Sequence, residues 1–398
     1  MTYKNFLQRF SSTFFLIIIL FSSMNTFAGD HGSSKPEKFN PGSFIIDHVI
    51  DSYGWHITTF KGHHISIPLP VILIDNGKLV LFSSAKFHHG HNAYKGYALG
   101  FTEDTKGKIV KLEKAITGPL EEGGHYKYGT DFFDISITKN VCSMFIAIGI
   151  LLYIFFSVAK SYKRKPNMAP KGLQTLMEIV IVFIRDEVVI ASMGKEKHAK
   201  YLPYILTLFF FILINNLMGL IPIFPGGANV TGNIAVTAIL ALLTLLITSF
   251  SGNKNYWKHI FNTPGVPWWL KIPIPIMPIV EAMGIFTKPF VLMIRLFANI
   301  TAGHIIILGF ISLIFIFGGM NPMVGFAVSP LSIVFYLFMG MLELVVAFVQ
   351  SYLFALLTSM YIGMAIEDHE AHEAHDHNAH KHASNDLKEQ TSSTELHQ

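Results

Sequence analysis

Four polar side chains recur at helical spacing within a stretch that is otherwise apolar. Glu281, Lys288 and Arg295 follow one another at intervals of seven residues, and Asn299 lies one helical turn beyond Arg295. On a helix with about 100° per residue, a seven-residue repeat drifts by only about 20° per step, so these side chains share one face. A guanidinium and an ammonium on such a face can bind an ionised group or guide a moving charge.

Arg295 is the member of this stripe whose position most needs an explanation. Placing an arginine at the centre of a bilayer costs about 2.5 to 3.5 kcal/mol on insertion scales. The nearest acidic residue on the same predicted helix is Glu281, which lies about 21 Å away along the axis at 1.5 Å per residue. We therefore interpret Arg295 as a functional residue with a partner elsewhere, and a structural salt bridge is the alternative.

A second apolar segment carries a matching set of polar residues. Glu343 and Gln350 are seven residues apart, and Tyr361 follows Gln350 on the same face. If the two segments pair as a symmetric hairpin, His304 falls within one residue of Glu343, and Gln350 lies towards Arg295. A His–Glu pair inside a membrane can relay protons, because each group shifts the proton affinity of the other.

The composition places these residues in a membrane protein. Of the 398 residues, 51% are hydrophobic and 14% are charged, whereas soluble domains carry about 25% charged residues. This composition excludes an ordinary soluble enzyme of two domains. The net charge of +4 is too small and dispersed to indicate nucleic-acid binding. The single cysteine, Cys142, excludes an intrachain disulfide and a cysteine-rich metal site.

Five apolar runs are long enough to cross about 30 Å as helices, so the fold class is an all-α polytopic membrane protein. They are residues 141–159, 202–223, 234–250, 276–317 and 331–366. The last two runs are too long to stand upright, so we predict a hairpin of long tilted helices joined at residues 318–330. Residues 173–190 contain four charges, which favours an amphipathic helix in the membrane interface.

The two ends of the chain differ from this membrane domain, residues 141–366. Residues 1–28 combine a basic start with a short apolar run, which predicts a signal peptide. Residues 29–140 then form an exported, periplasmic domain. Asn76-Gly77 lies between two apolar runs, and Thr105-Lys106-Gly107 lies between two more, which predicts β-hairpins and a small β-rich fold. Basic residues after the first span, at 160–165, place its C-terminal end inside.

Histidines are concentrated outside the predicted spans. Several lie in the exported domain, and six lie between positions 369 and 382 of residues 367–398, which we predict to be a disordered cytoplasmic tail. We interpret these histidines as solvated side chains. Metal binding is the alternative, because a spacing of about three residues suits chelation on a transient helix.

Four motifs resemble subunit a of the F-type ATP synthase, and the similarity covers residues 173–366. They are NNLMGLIP at 215–222, IMPIVEAMGIFTK at 276–288, RLFANITAGH at 295–304 and QSYLFALLTSMYI at 350–362. The resemblance implies that Arg295 faces a rotating ring of hairpin subunits, each with a carboxylate at mid-membrane. The residues to which it assigns proton translocation are Arg295, Asn299, His304, Glu343, Gln350 and Glu281. The accessory candidates are Lys288, Asn215 and Tyr361.

The same resemblance implies a non-catalytic stator subunit that forms two offset proton half-channels against the ring and couples proton flow to ATP synthesis. The expected partners are the ring, the peripheral stalk subunits, the lipid bilayer and, indirectly, the catalytic head. No cofactor or metal is expected, and the expected location is the bacterial inner membrane, with the C-terminus cytoplasmic. The exported domain departs from the minimal family pattern, and we interpret it as a folded cap beside the outer channel mouth.

Two other classes of function remain as alternatives. A self-contained ion channel or transporter would conduct without a ring. An intramembrane hydrolase would need a nucleophile with a base, or a metal site, and His304 with Glu343 supplies neither. The sequence leaves open whether H⁺ or Na⁺ is the coupling ion.

Overall fold

The computed structural model describes residues 40–60, 63–100, 105–120, 126–129, 131–164, 168–221, 226–261 and 276–367. The predicted signal peptide and the His-rich tail beyond Glu367 lie outside the described residues. Both therefore stay predictions.

The N-terminal domain begins with helix α1, Pro41–Val49, and continues as short antiparallel strands. These are β1 Gly54–Phe60, β2 His63–Pro68, β3 Pro70–Asp75, β4 Lys78–Ser83, β5 Asn92–Ala93, β6 Tyr97–Leu99, β7 Ile109–Leu112, β8 Gly118–Pro119, β9 Tyr128–Gly129 and β10 Phe133–Asp134. A 3-10 helix, Ser84–Gly90, follows β4. Hydrogen-bonded sheets have the orders β1-β2, β10-β3-β4, β5-β8 and β6-β7-β9. The predicted β-rich fold is confirmed.

The predicted hairpins are also present. β3 pairs with β4 around Asn76 and Gly77, which have φ values of 48° and 77°, as a tight two-residue turn requires. β6 pairs with β7, which is the core of the second predicted hairpin. In this domain, Asp75 accepts hydrogen bonds from Lys111 and Tyr97 at 2.5 and 2.7 Å. The Lys111 ammonium holds the pKa of Asp75 below its usual value, and burial next to this carboxylate raises the pKa of Tyr97 to about 12.

The membrane domain consists of long helices. They are α2 Lys139–Arg164, α3 Leu173–Phe183, a π-helix Ile184–Ile190, α4 Ala191–Leu220, α5 Ile234–Ser251, the short α6 Lys254–Phe261, α7 Ile276–Met320 and α8 Pro322–Ile366. Among the described residues, five helical segments are long and apolar enough to cross a membrane, which equals the number of spans predicted there. Residues 173–220 form one helical segment with a break at Gly194, whose φ is 75°. The interfacial position predicted for residues 173–190 stays a prediction.

The predicted loop at residues 318–330 is wrong. Helix α7 continues to Met320 and α8 begins at Pro322, so Asn321 alone separates them. The Asn321 side chain accepts a hydrogen bond from the Met323 amide at 2.9 Å and caps α8. Two glycines of this region allow close helix packing, since a Cβ on Gly325 would lie 2.6 Å from the Gly318 backbone. Each helix has 45 residues, or about 68 Å at 1.5 Å per residue, so neither can stand upright in a bilayer.

Helices α4 and α8 form the centre of the membrane domain. Ile205, Phe209 and Ile212 of α4 are fully buried, as are Ala355 and Ile362 of α8. Helix α7 lies against α8 along the hairpin and also contacts α5. The site residues of α7 and α8 are therefore fixed on two rigid helices that face each other.

Candidate functional site

Arg295 lies on the side of α7 that faces away from the packed core. Its neighbours Leu292 and Leu296 are 1% and 0% exposed, whereas the Arg295 side chain is partly exposed. Within the described part of the chain, Arg295 has no hydrogen bond or ion pair. A cation in an apolar setting without an intrachain partner is stabilised only by an anionic or polar group brought from outside the chain.

Asn299 and Gln350 join the two helices one turn from Arg295. The Asn299 Nδ2 atom donates to Gln350 Oε1 at 2.8 Å. Gln350 is only 2% exposed, whereas Asn299 is exposed on the face that carries Arg295. Asn299 thus orients the Gln350 amide and connects it to the charged stripe. The structure brings these two predicted site residues together.

The N-terminal part of the stripe on α7 contains Lys288 and Glu281. The Lys288 ammonium lies 5.6 Å from the centre of the Tyr361 ring, which is within the range of a cation–π contact. Glu281 is partly exposed and lies near Tyr256 of α6, whose pKa is raised by burial and then by the Glu281 charge. Glu281 is about 21 Å from Arg295 along the helix, so the two residues do not form one ion pair.

His304 and Glu343 are in direct contact. The His304 Nδ1 atom lies 2.9 Å from Glu343 Oε1, and the two side chains are 18% and 4% exposed. This contact confirms that the two predicted residues lie together. The imidazole also faces two backbone oxygens, with Nδ1 at 3.0 Å from Ile300 O and Nε2 at 3.3 Å from Gly219 O. Each ring nitrogen therefore has an acceptor for its proton.

The carboxylate of Glu343 lies in a closely fitted position. A Cβ on Gly303 would lie 2.7 Å from Glu343 Oε1, so a larger residue at this position would require the carboxylate to shift. Neither oxygen accepts a well-directed hydrogen bond from the described residues. A buried carboxylate with so little compensation is costly when ionised, and a proton shared with His304 lowers that cost. The pair is suited to take up and release one proton as a unit.

A column of buried polar residues that sequence reasoning missed lies next to this pair. The Asn216 Nδ2 atom donates to Ala347 O at 3.2 Å, one turn from Glu343. Thr231 Oγ1 donates to Asn216 Oδ1 at 2.6 Å, and both side chains are at most 2% exposed. The sequence contains a signal for this column, because two adjacent asparagines interrupt an uncharged span, but the family resemblance pointed to Asn215 and not to Asn216. Asn215 instead donates to Phe211 O within its own helix at 2.8 Å.

Comparisons with known proteins match both parts of the chain. The family model described as ATP synthase A chain matches residues 141–363, and a domain of unknown function matches residues 44–134. An ATP synthase subunit a of Chloroherpeton thalassium is 44% identical over 282 residues, which cover 69% of this chain and 75% of the relative. A protein named ATP synthase subunit a 2 from Prosthecochloris aestuarii is 44% identical over 321 residues, which cover 77% of this chain and 94% of the relative.

Proposed function

The chain belongs to the ATP synthase subunit a family, and on that basis we propose that it forms two offset proton half-channels against a rotating ring of carboxylate-bearing subunits. It is a membrane-sector subunit of the F-type enzyme, and its described residues include five helices long and apolar enough to cross a membrane. The proposed role is that of a stator, which converts proton flow into rotation of the ring.

Arg295 is the residue that carries this proposal. It is a partly exposed cation with no hydrogen bond or ion pair among the described residues, on a helix face directed away from the chain's own core. A ring carboxylate about 4 Å away would gain about 4 kcal/mol from it at an effective dielectric constant of 20. A neutral carboxylic acid can face lipid, whereas an ionised one cannot. Arg295 therefore holds the ionised carboxylate and prevents protons from passing directly between the half-channels.

The outer half-channel is assigned to the His304–Glu343 pair and the polar residues around it. Asn216 bonds to the Ala347 carbonyl one turn from Glu343 and to Thr231 of the segment between α4 and α5. Asn299 of the charged stripe bonds to Gln350 on the helix that carries Glu343. In this proposal, a proton from the outside passes to the pair and then neutralises the ring carboxylate. The neutralised carboxylate leaves Arg295 and rotates into the lipid.

The inner half-channel is assigned to the part of α7 near Glu281 and Lys288. A ring carboxylate that arrives there releases its proton to the inside, since the anion is stabilised by the nearby ammonium. Each elementary charge that crosses the membrane releases about 2.3 kcal/mol per 100 mV. The expected partners are the ring, the peripheral stalk subunits and, through them, the catalytic head. The N-terminal domain would then be periplasmic and the C-terminus cytoplasmic, in a bacterial inner membrane.

A reconstitution experiment separates this proposal from a self-contained channel or transporter. The purified chain, the purified ring and the assembled membrane sector are each placed in liposomes, and a potassium diffusion potential drives proton uptake. The proposal predicts uptake only with the assembled sector. Proton flux through the chain alone at a comparable rate would contradict it and favour the channel.

A further inference from the structure

The N-terminal domain is attached to the membrane domain by specific contacts, not only by the chain connection. The Asp51 carboxylate accepts a hydrogen bond from the backbone N–H of Asn140 at 3.0 Å. The Ser52 carbonyl accepts one from the backbone N–H of Lys139 at 2.8 Å. Both donors belong to the first turn of α2, where free N–H groups need acceptors. Helix α1 also packs against α7. The domain is thereby held in a defined position at this end of the membrane helices.

Trp55 of the N-terminal domain packs against a loop of the membrane domain. It is 3% exposed and packs in one cluster with Ala228 and Val230, which are 0% and 1% exposed. Cys142 of α2 and Val236 of α5 border the same cluster. A buried tryptophan contributes a large, rigid apolar surface. Trp55 therefore fixes the segment of residues 226–233, which connects α4 to α5.

The same segment reaches the proposed proton pathway with its other side. Ala228 and Val230 contact Trp55, whereas Thr231 bonds to Asn216, as described above. Thr301 Oγ1, on α7 one turn before His304, donates to the carbonyl of Gly232 at 3.4 Å. One short segment thus contacts Trp55, Asn216 of α4 and Thr301 of α7, the helix that carries His304.

Asn229, between the two Trp55 contacts, supplies a further observation. It is 3% exposed, and its Oδ1 accepts a hydrogen bond from the Gly232 amide at 3.0 Å. Its Nδ2 donates to none of the described protein groups. A buried amide with an unused donor is costly unless it meets water or another polar group. Such a donor next to Thr231 is suited to the wall of a hydrated path.

We infer that the N-terminal domain, to which no function is assigned, shapes the outer proton entrance by holding the segment of residues 226–233 through Trp55. The inference rests on the proposed outer half-channel. Trp55 does not contact the proton itself and acts as a positioning residue. Removing its side chain would allow the segment to move and would disturb the Thr231–Asn216 contact.

ATP synthesis by the whole complex at several outside pH values provides the test. The rate for each variant is divided by the wild-type rate at the same pH and by the amount of assembled complex. Trp55→Ala is expected to lower this ratio severalfold at high outside pH, where proton uptake limits the rate, and less at low outside pH. Trp55→Phe, which keeps an aromatic ring in the cluster, is expected to restore most of the rate.

Two further variants distinguish the loss of the Trp55 contact from general misfolding of the N-terminal domain. Val230→Ala weakens the same contact from the membrane side and is expected to shift the pH profile in the same direction. Tyr94→Ala is the matched control, because Tyr94 is a partly buried aromatic that packs on Phe82 within the domain. If Trp55→Ala and Val230→Ala give the same pH profile as Tyr94→Ala, the inference is overturned.

A last comparison distinguishes this inference from the proposed function. Thr231→Val removes a hydroxyl of the polar column and does not touch Trp55 directly. If Thr231→Val and His304→Ala both leave the pH profile unchanged, the outer half-channel itself is misassigned. If they shift the profile and Trp55→Ala does not, only the role of the N-terminal domain fails. A Trp55→Ala, Thr231→Val double variant no worse than the poorer single variant supports a shared pathway.

Discussion

Exchanging His304 and Glu343 for each other tests whether they act as one proton-conducting pair. His304→Glu alone places two carboxyl groups in contact, and Glu343→His alone places two imidazoles in contact. Each single exchange therefore replaces a pair of one carboxyl and one imidazole by two groups of the same kind, which repel each other when both are charged. The double exchange restores one carboxyl and one imidazole at nearly the same separation, which is 2.9 Å in the native pair.

The contact distance sets the size of the expected effect. Contacting polar residues in one network show coupling free energies of about 0.5 to 3 kcal/mol, and a buried pair at hydrogen-bond distance belongs in the upper part of that range. A coupling of about 1 to 3 kcal/mol corresponds to about 5- to 150-fold. Each pumping rate is expressed relative to the wild type. The relative rate of the double exchange should then exceed the product of the two single-exchange relative rates by about this factor.

The assay is the initial rate of ATP-driven proton pumping in inverted membrane vesicles, divided by the amount of assembled complex. Ser312→Ala is the control substitution, because Ser312 is buried and donates only to Leu308 O within its own helix. Ser312 lies about 12 Å beyond His304 along α7. The relative pumping rate of a Ser312→Ala, Glu343→His double variant should therefore equal the product of the two single-variant relative rates. A double exchange that equals the product of the single exchanges would refute the paired relay.

Two further predictions follow from close contacts and from orientation. Gly303→Ala should reduce proton pumping in an assembled complex, because the new Cβ would displace the Glu343 carboxylate. Gly309→Ala is the control, since a Cβ there meets nothing within 4 Å. Equal pumping rates for both variants would contradict the reasoning. In a cysteine-free background, Lys78→Cys should react with an impermeant maleimide added outside intact spheroplasts, whereas Lys163→Cys should react only after permeabilisation. The reverse pattern would show that the proposed orientation is wrong.

The sequence predicts well the features that depend on a regular residue spacing along one helix or on a short turn motif. The seven-residue spacing around Arg295 places the charged stripe on one helix face, and Asn76-Gly77 specifies the β3–β4 hairpin. The pairing of the long hairpin was also predicted, from the assumption that the two helices pair symmetrically, although the connection is a single residue and not the predicted loop. The contact of His304 with Glu343 is a consequence of that register.

The features that the sequence did not predict depend on contacts between distant segments. The predicted loop at residues 318–330 contains Gly318 and Gly325, and glycine in a sequence is compatible with turns and with close helix contacts alike. Asn216 and Thr231 meet only after α4, α5 and α8 have packed together. Trp55 gave no signal beyond being an aromatic residue in a strand, because its buried partners Ala228 and Val230 lie more than 170 positions away in the sequence.

Arg295→Ala in the complete enzyme tests the central claim most directly. Coupled ATP synthesis driven by an imposed proton gradient is measured, and the amount of assembled complex is determined in the same membranes. Ile294→Ala is the control, because it shortens the adjacent side chain of α7 without removing a charge. We expect Arg295→Ala to assemble and to lose coupled synthesis, whereas Ile294→Ala retains it. Coupled synthesis at the wild-type rate in Arg295→Ala would contradict the proposed mechanism.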